Sequence, residues 1–358
     1  MVIKFGRFAF GLALIFVLFL ATQPAAAISR CDSPVVDKRL STLCLLREID
    51  GKVITEALAR KVDRSLKEEG TDGGLNLGFA FKAPNASFNY LIRPSYSFSQ
   101  NINGGNPTRP LTLGGITFSA DQALLAKSGH LVGLSVLGYG RRIWGHRKYL
   151  NYSISSAINF SPQFSLKTTK INGQACSKNT IGYNSYIDIC ASVADIKKKL
   201  SSNKQGEISV NNAKFFEFAD SFYVQTKVGL KRYFNEDYQQ NQIIANLGII
   251  ENSHLFSSVD FTFGENIEGR LATKQRVNAN LQLAFRSKPF TLSLGYERLE
   301  GGALLGVVRN DDFKSISMSF PIYGRATVEI GYQITDSTID YYDLNTPIIS
   351  IGFNALSF

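Results

Sequence analysis

The sequence predicts an all-β protein: a transmembrane, antiparallel, up-and-down β-barrel of about 14 strands (roughly 12–16) that follows a short α-helical N-terminal segment. The repeating unit is clearest in residues 276–296, where apolar and polar residues alternate in two runs joined by a short link. A period of two places successive side chains on opposite faces of a strand, so this hairpin has one apolar and one polar face. In a soluble sandwich the apolar faces would meet a second sheet, whereas in a transmembrane barrel they meet lipid. The lengths of the connections and the two chain ends favour the barrel.

The N-terminal residues have the pattern of an export signal. Lys4 and Arg7 precede an apolar run over 8–20, and Ala25 and Ala27 then stand in an A-x-A cleavage pattern. This order is typical of a secretory signal peptide, which we predict over residues 1–27. The apolar run is shorter than the roughly 20 residues that a transmembrane helix needs. The chain is therefore expected to be exported without a lipid anchor.

Residues 28–72 differ in composition from the rest of the chain. Their apolar residues recur at helical spacing among many charged residues, which predicts one amphipathic helix, or two helices broken at 50–51. We expect this segment to lie in the periplasm. It either plugs the barrel, docks a partner or forms oligomers, or it only packs beneath the barrel mouth.

Residues 73–358 are predicted to form the barrel. Alternation predicts strands at about 75–82, 88–98, 130–144, 148–161, 163–172, 183–194, 219–234, 239–251, 254–264, 273–287, 289–298, 313–322, 325–335 and 346–356. Residues 195–218 are predicted as a turn followed by an extension of the next strand. Residues 100–129 are predicted as a long loop that either folds inward as a constriction or covers the mouth.

The predicted connections alternate in length along the chain. Those at 252–253, 287–288 and 323–324 are short, whereas those at 265–272, 299–312 and 336–345 are longer. Short turns at one end and long loops at the other are typical of a membrane barrel, and a soluble sandwich has no reason to show this asymmetry.

The four cysteines fall into two local pairs, Cys31 with Cys44 and Cys176 with Cys190. In an oxidising compartment these pairs predict two disulfides, although four cysteines allow three pairings. A metal site and a reactive thiol are the alternatives. Neither pair has the spacing of metal ligands or a nearby histidine, so we predict no metal site.

No pattern in the sequence predicts an enzyme or a cofactor site. The three histidines, His130, His146 and His254, lie far apart, and none belongs to a nucleophile, metalloprotease or nucleotide-binding motif. An outer-membrane hydrolase with a Ser-His or Asp-His pair on adjacent strands is the less favoured alternative.

The polar faces of the predicted strands carry the candidate functional residues. The lumen-lining candidates are Lys82, Arg93, Arg141, Lys167, Lys227, Lys231, Asp260, Arg276, Arg286, Glu297 and Glu329. Their basic excess predicts a preference for anions if the lumen is open, because charged rings set the selectivity of pores. The alternative is a closed barrel filled by a network of ion pairs. The formal net charge of +10 is spread along an exported chain, so nucleic acid is not an expected partner.

The C-terminal strand ends in Phe358 and resembles the targeting signature of Gram-negative outer-membrane barrels. The resemblance implies insertion into outer-membrane lipid by the barrel-assembly machinery, with the N-terminal segment in the periplasm. Leu356 shares the face of Phe358, whereas Ile351 and Phe353 fall on the other face. Either a bulge near Asn354 shifts the register, or the last residues form a short tail.

A second resemblance lies in residues 99–105, with the sequence SQNINGG, followed after a loop by 127–129 and a new strand. This stretch resembles the start of the C-terminal barrel of surface lipoprotein assembly modifier proteins. The sequence therefore predicts transport across the outer membrane, either of small solutes, with anions favoured, or of a polypeptide or lipoprotein. The alternative is a closed structural or surface-anchoring barrel.

Overall fold

The computed structural model describes residues 39–40, 86–145, 148–182, 184–219, 222–251, 255–285, 288–322, 326–353 and 356–357. The strands of this part of the chain are β1 (Ala86–Ser99), β2 (Leu111–Leu113), β3 (Ile116–Phe118), β4 (Gly129–Gly145), β5 (Lys148–Ser161), β6 (Leu166–Gly182), β7 (Ser185–Lys197), β8 (Ser202–Ala219), β9 (Phe222–Asn235), β10 (Gln239–Glu251), β11 (Leu255–Gly264), β12 (Ala272–Phe285), β13 (Lys288–Leu304), β14 (Val307–Ile322), β15 (Ala326–Ser337), β16 (Leu344–Phe353) and β17 (Leu356–Ser357). Two 3₁₀ turns span Gln122–Leu124 and Asp340–Tyr342. Among these residues no helix is long and apolar enough to cross a membrane.

The strands form a closed antiparallel barrel. From β4 to β16 each strand pairs with its neighbour in sequence, β1 pairs with β4, and β16 returns to pair with β1. The short β17 continues β16 beside β1, so the described wall has 14 strands, whereas β2 and β3 form a separate hairpin. Closure pairs the first and last strands of the described wall, β1 and β16, with each other. The predicted antiparallel up-and-down barrel is confirmed.

The residue ranges that form the 14 strands differ in part from the predicted ranges. Residues 202–219 form β8, a full strand between β7 and β9, rather than an extension of the next strand. The strand predicted at 75–82 lies outside the described residues. The sequence pattern does not predict β8 as a separate strand because its exterior row is not apolar throughout. Ile208 and Val210 are followed on that face by the polar residues Asn212 and Lys214.

The connections fall into two groups at opposite ends of the barrel. The turn end carries the links 146–147, 183–184, 220–221, 252–254, 286–287 and 323–325, and the loop end carries 100–128, 162–165, 198–201, 236–238, 265–271, 305–306 and 338–343. The loop predicted at 299–312 is instead mostly strand, because β13 and β14 continue to a two-residue link. Leu305 and Gly306 both have positive φ, as a tight hairpin turn requires.

Side chains alternate between an interior and an exterior face. On β5, Asn151, Ser153 and Ser155 line interior cavities, whereas Ile154 and Ile158 are exposed on the exterior. The same exterior face exposes Phe88, Tyr90, Val132, Leu134, Val136, Phe160, Ile171, Ile189, Val193, Ile208, Val210, Val228, Leu230, Ile243, Leu247, Phe263, Ile316, Ile330, Ile349 and Phe353. An apolar surface of this extent is rare on a soluble monomer and is the normal exterior of a membrane barrel.

The C-terminal strand changes register as it closes the barrel. Ser95 pairs with Gly352 in β16, whereas Ile92 pairs with Leu356 in β17. Four steps along the C-terminal strand therefore match three steps along β1, which is the one-residue excess of a bulge. Of the two predicted explanations for the broken alternation, the bulge near residue 354 agrees with this pairing.

Two residues of the predicted N-terminal segment belong to the described part of the chain. Arg39 and Leu40 have helical backbone conformation. The predicted signal peptide, the rest of the predicted helical segment and the predicted Cys31–Cys44 pair lie outside the described residues.

Candidate functional site: the barrel interior

One interior cavity lies against the wall formed by β6 to β13. It has a volume of about 660 Å³, and its lining includes Glu207, Lys227, Lys231, Asn246 and Asp260. Directly paired residues of an antiparallel sheet share a face. The strand register therefore brings the polar residues of these neighbouring strands together without any contribution from a loop.

A hydrogen-bonded ladder crosses this cavity wall. The register aligns Lys227, Asn246, Asp260 and Asn278 on four successive strands. Gln225 Nε2 donates to Asn246 Oδ1 at 2.7 Å, and Asn246 Nδ2 donates to Asp260 Oδ1 at 2.8 Å. Because the Asn246 amide both accepts and donates, it links Gln225 to Asp260 and holds the Asp260 carboxylate in position on the cavity wall.

Ion pairs lie nearer the loop end. Arg276 Nη2 contacts Glu297 Oε1, which also accepts a hydrogen bond of 2.7 Å from Thr273 Oγ1. Lys231 Nζ lies 3.5 Å from Glu207 Oε2. Each predicted cation at this level therefore has a carboxylate beside it, which reduces the field that it presents to a passing ion.

A second cavity of about 500 Å³ lies closer to the turn end, and Arg141, Lys178 and Asp188 are among its lining residues. Arg141 Nε donates to Asn151 Oδ1 at 3.1 Å, and its guanidinium carbon lies 4.8 Å from the centre of the Tyr149 ring. Together these contacts hold the guanidinium against the wall.

The wall of this second cavity is cross-linked. Cys176 and Cys190 face each other in the β6–β7 register and form a disulfide, so this predicted pairing is confirmed. The bond closes a loop with a sequence separation of 14. It connects two strands that already pair, which fixes the local spacing of the interior residues on either side.

Replacing both cysteines, Cys176→Ser with Cys190→Ser, is expected to lower the free energy of unfolding by about 2–4 kcal/mol, because the unfolded chain regains the entropy of the open loop. Denaturant unfolding of the folded barrel in detergent measures the change. Reduced wild-type protein should match the double variant, and unchanged stability in both would contradict the expectation.

Several interior charges were missed by the sequence analysis. Glu207 and Glu217 on β8 share the interior face, as do Asp188 on β7 and Lys170 and Lys178 on β6. The sequence pattern predicts only part of the strands that carry these residues. The two glutamates belong to β8, which the pattern does not predict as a separate strand. With them, the strand residues assigned to the interior face comprise seven basic and six acidic side chains, so the basic excess among them is one.

The other candidates separate into three groups. Arg93 shares the face of Asn89, which lines the second cavity, and Glu329 accepts a 3.2 Å hydrogen bond from Ser350 Oγ. Lys167 pairs directly with Phe160 and so lies on the exterior face, in disagreement with the prediction. The prediction failed there because the adjacent Leu166 faces inward. Lys82 and Arg286 lie outside the described residues.

His130 lies on the exterior face. Its Nδ1 is 2.7 Å from the hydroxyl of Tyr96, and the two rings stack. This contact supplies neither the serine nor the carboxylate that the hydrolase alternative requires. His146 and His254 lie outside the described residues.

The first part of loop 100–128 folds against the interior wall. Ile102 is 1% exposed and packs with Leu131 of β4 and Leu166 of β6, whose side chains both face inward. The carbonyl of Ile102 accepts a hydrogen bond of 3.3 Å from Thr168 Oγ1. Of the two alternatives for this loop, these contacts fit the inward fold.

The same loop is attached to the β7–β8 link. Lys198 Nζ donates to the carbonyl of Asn101 at 2.7 Å, and Leu200 N donates to the carbonyl of Asn103 at 2.8 Å. Burial lowers the pKa of Lys198. A Cβ atom on Gly104, which has a φ of +72°, would lie 2.0 Å from Ser201 Oγ. These contacts follow the interior wall from the end of β1 to the link between β7 and β8.

Comparison with known proteins identifies no family. No protein-family model and no curated protein matches the chain. The structure of OccAB3 from Acinetobacter baumannii has a TM-score of 0.41 and 5% identity, over 76% of this chain and 100% of that chain. A BenF-like porin from Pseudomonas fluorescens gives 0.36 and 8% over 76% and 99%, and the KdgM porin gives 0.33 and 9% over 74% and 98%. At these identities and TM-scores the matches carry no argument about this chain.

Proposed function

We propose that this barrel is a channel of the Gram-negative outer membrane that passes small polar solutes. One observation carries the proposal: an exterior of exposed apolar side chains encloses an interior whose cavities are lined by amides, hydroxyls and charges. A barrel with a lipid-facing apolar band and a polar lumen is the normal construction of a membrane channel. A purely structural barrel has no need for polar cavities of this size.

The proposed orientation places the turn end at the periplasm and the loop end outside. The short links of the turn end support it, because outer-membrane barrels have short periplasmic turns and longer external loops. In this orientation the N-terminal segment is periplasmic, and the inward loop 100–128 narrows the external entrance. Insertion by the barrel-assembly machinery belongs to the same proposal and rests on the C-terminal resemblance.

The proposed lumen-lining residues are the candidates that lie on the interior face: Arg93, Arg141, Lys227, Lys231, Asp260, Arg276, Glu297 and Glu329, joined by Lys178, Asp188 and Glu207. Since Arg276 and Lys231 have carboxylate partners, we expect weaker anion selectivity than the cation count alone suggests. Hydrogen-bonding solutes of either charge suit this lining. The chemistry proposed is passage, without catalysis or a cofactor.

Conductance of the refolded, full-length mature chain in a planar bilayer tests the channel. Heat-modifiable mobility on a gel first establishes that the barrel is folded. Discrete ion conductance is expected, and a folded barrel that conducts nothing would replace the channel by the closed structural alternative. Export of a polypeptide or lipoprotein is the second candidate, supported by the resemblance of residues 99–105. Loss of a surface lipoprotein on deletion, with solute permeability unchanged, would favour it.

The Lys227→Glu substitution is expected to shift the reversal potential in a salt gradient towards cation selectivity. It places a second carboxylate on the cavity wall beside Asp260, where a change of two charges alters the local field. Lys214→Glu, an identical change on the exterior face of β8, is the matched control and should leave the reversal potential unchanged. Equal shifts in the two variants would show that Lys227 does not border the conduction path.

A further inference from the structure

The interior wall near the turn end holds a residue of the N-terminal segment. Arg39 Nη1 donates to Asp188 Oδ1 at 2.9 Å and Nη2 donates to Asp188 Oδ2 at 2.6 Å, which is a two-pronged contact between planar groups. The Arg39 and Asp188 side chains are each 1% exposed. Leu40, the next residue, is fully buried.

Two aromatic rings complete the contact. The guanidinium carbon of Arg39 lies 4.5 Å from the ring centre of Tyr186 on β7 and 4.9 Å from that of Phe215 on β8. The two rings meet edge to face, 5.4 Å apart. Both distances fall within the range of favourable cation–π contact. Asp188, Tyr186 and Phe215 together form what we call the arginine socket.

The socket is specific for a guanidinium. A carboxylate that accepts two parallel N–H bonds selects the planar fork of arginine over the point charge of lysine, and aromatic faces favour the weakly hydrated arginine. Arg39 and Asp188 are 149 residues apart in sequence. A contact of this kind between distant residues, buried on both sides, is not an incidental surface ion pair.

The socket lies inside the barrel mouth rather than at its rim. Asp188 stands three residues beyond the start of β7 at the turn end, a depth of roughly 10 Å at the rise of a β-strand. It also lines the cavity of about 500 Å³. Arg39 and Leu40 therefore lie on the turn-end side of the barrel interior.

A lysine on the neighbouring strand lowers the cost of releasing Arg39 from the socket. Lys178 faces Asp188 directly in the β6–β7 register, and the Cys176–Cys190 disulfide joins the next interior pair of the same two strands. When Arg39 leaves, a cation remains opposite the carboxylate, so the wall is not left with an uncompensated charge. The cross-link keeps the two strands at a constant spacing in both states.

We propose that Arg39 and Leu40 act as a tethered plug, held in the lumen by the arginine socket, and that the channel conducts more when Arg39 leaves the socket. This inference rests on the proposed channel function. The segment and the barrel belong to one chain, so the plug stays close to its socket after release and can return.

Trypsin sensitivity of the Arg39–Leu40 bond tests the seating without any measurement of conduction. In folded full-length mature protein the bond should resist cleavage, because both residues are buried. Asp188→Asn keeps the size of the side chain and removes its charge, so cleavage measured by mass spectrometry should become about tenfold faster or more. Asp260→Asn, an equivalent change on β11, is the matched control and should leave the bond protected. Rapid cleavage of the wild type, or equal protection in Asp188→Asn, would overturn the socket.

Single-channel conductance tests the occlusion. Arg39→Ala leaves the barrel wall intact and is expected to conduct more than the wild type, as is Asp188→Asn, whereas Arg39→Lys should fall between because lysine lacks the fork. Equal conductance in wild type, Arg39→Ala and Asp188→Asn would overturn the plug and leave the channel standing. Folded barrels that are silent in every variant would overturn the channel itself and the plug with it, and the protease result would still report whether the socket holds Arg39.

Discussion

The Ile154→Arg substitution is expected to lower the free energy of unfolding of the barrel in lipid by about 2–4 kcal/mol, the cost of an arginine near the midplane on a lipid-facing strand. Ile154 lies at the middle of β5 and its side chain is 59% exposed on the exterior. Its paired neighbours, Gly138 and Gly173, offer no side chain that could shield a charge. Denaturant unfolding in phospholipid bilayers measures the effect.

The adjacent residue provides the control for this experiment. Ser155 faces the opposite side of the same strand, where its hydroxyl accepts a 3.1 Å hydrogen bond from Asn172 Nδ2 beside an interior cavity. Ser155→Arg should cost only the roughly 0.5–1.5 kcal/mol of that hydrogen bond, because the new charge enters a polar lumen. Equal costs for Ile154→Arg and Ser155→Arg would contradict the assignment of the two faces.

The Ile102→Asp substitution is expected to release loop 100–128 from the interior wall and to raise the conductance severalfold. Ile102 packs between Leu131 and Leu166, where a carboxylate would have no partner, and an uncompensated buried charge costs about 3–5 kcal/mol. The loop can avoid this cost by leaving the wall, since the barrel strands do not depend on it for pairing. Single-channel recording measures the widening.

Ile116→Asp is the matched control, because it places the same charge in the same loop at a side chain that is 62% exposed. It should change neither the conductance nor the heat-modifiable mobility of the folded barrel. If Ile102→Asp retains the wild-type conductance in a folded barrel, the loop does not limit passage.

The alternation of the sequence predicts the wall where the exterior row is apolar, and fails where that row becomes polar. The predicted bounds of β5 agree with the observed ones, because most of its exterior residues are apolar. The exterior rows of β8 and β14 are interrupted by polar residues, which include Asn212, Lys214 and Lys314. Backbone hydrogen bonds between neighbouring strands extend these strands, and the alternation of residue types does not predict such bonds.

The sequence predicts which strand residues face the interior only where no loop packs against the interior wall. Lys227, Asp260 and Glu297 lie on the expected face because their strands follow the simple rule of polar residues inside. Leu166 breaks that rule because the inward loop covers it, and this error displaced Lys167 to the wrong face. The contact of Arg39 with Asp188 joins residues that no local pattern relates.

The β1–β16 junction, with its register shift, also determines how the chain can fold. Most of the other wall pairs join strands that are close in sequence, so each can form from a short hairpin with little loss of chain entropy. The junction instead joins residues near 95 to residues near 352, and its pairs in the described part of the chain number three with β16 and two with β17. Its closure carries the largest entropic cost, and among the described residues it has fewer paired positions than the other wall pairs. We therefore expect the β1–β16 junction to close after the other strand pairs have formed. The register shift lies on the C-terminal strand of this junction.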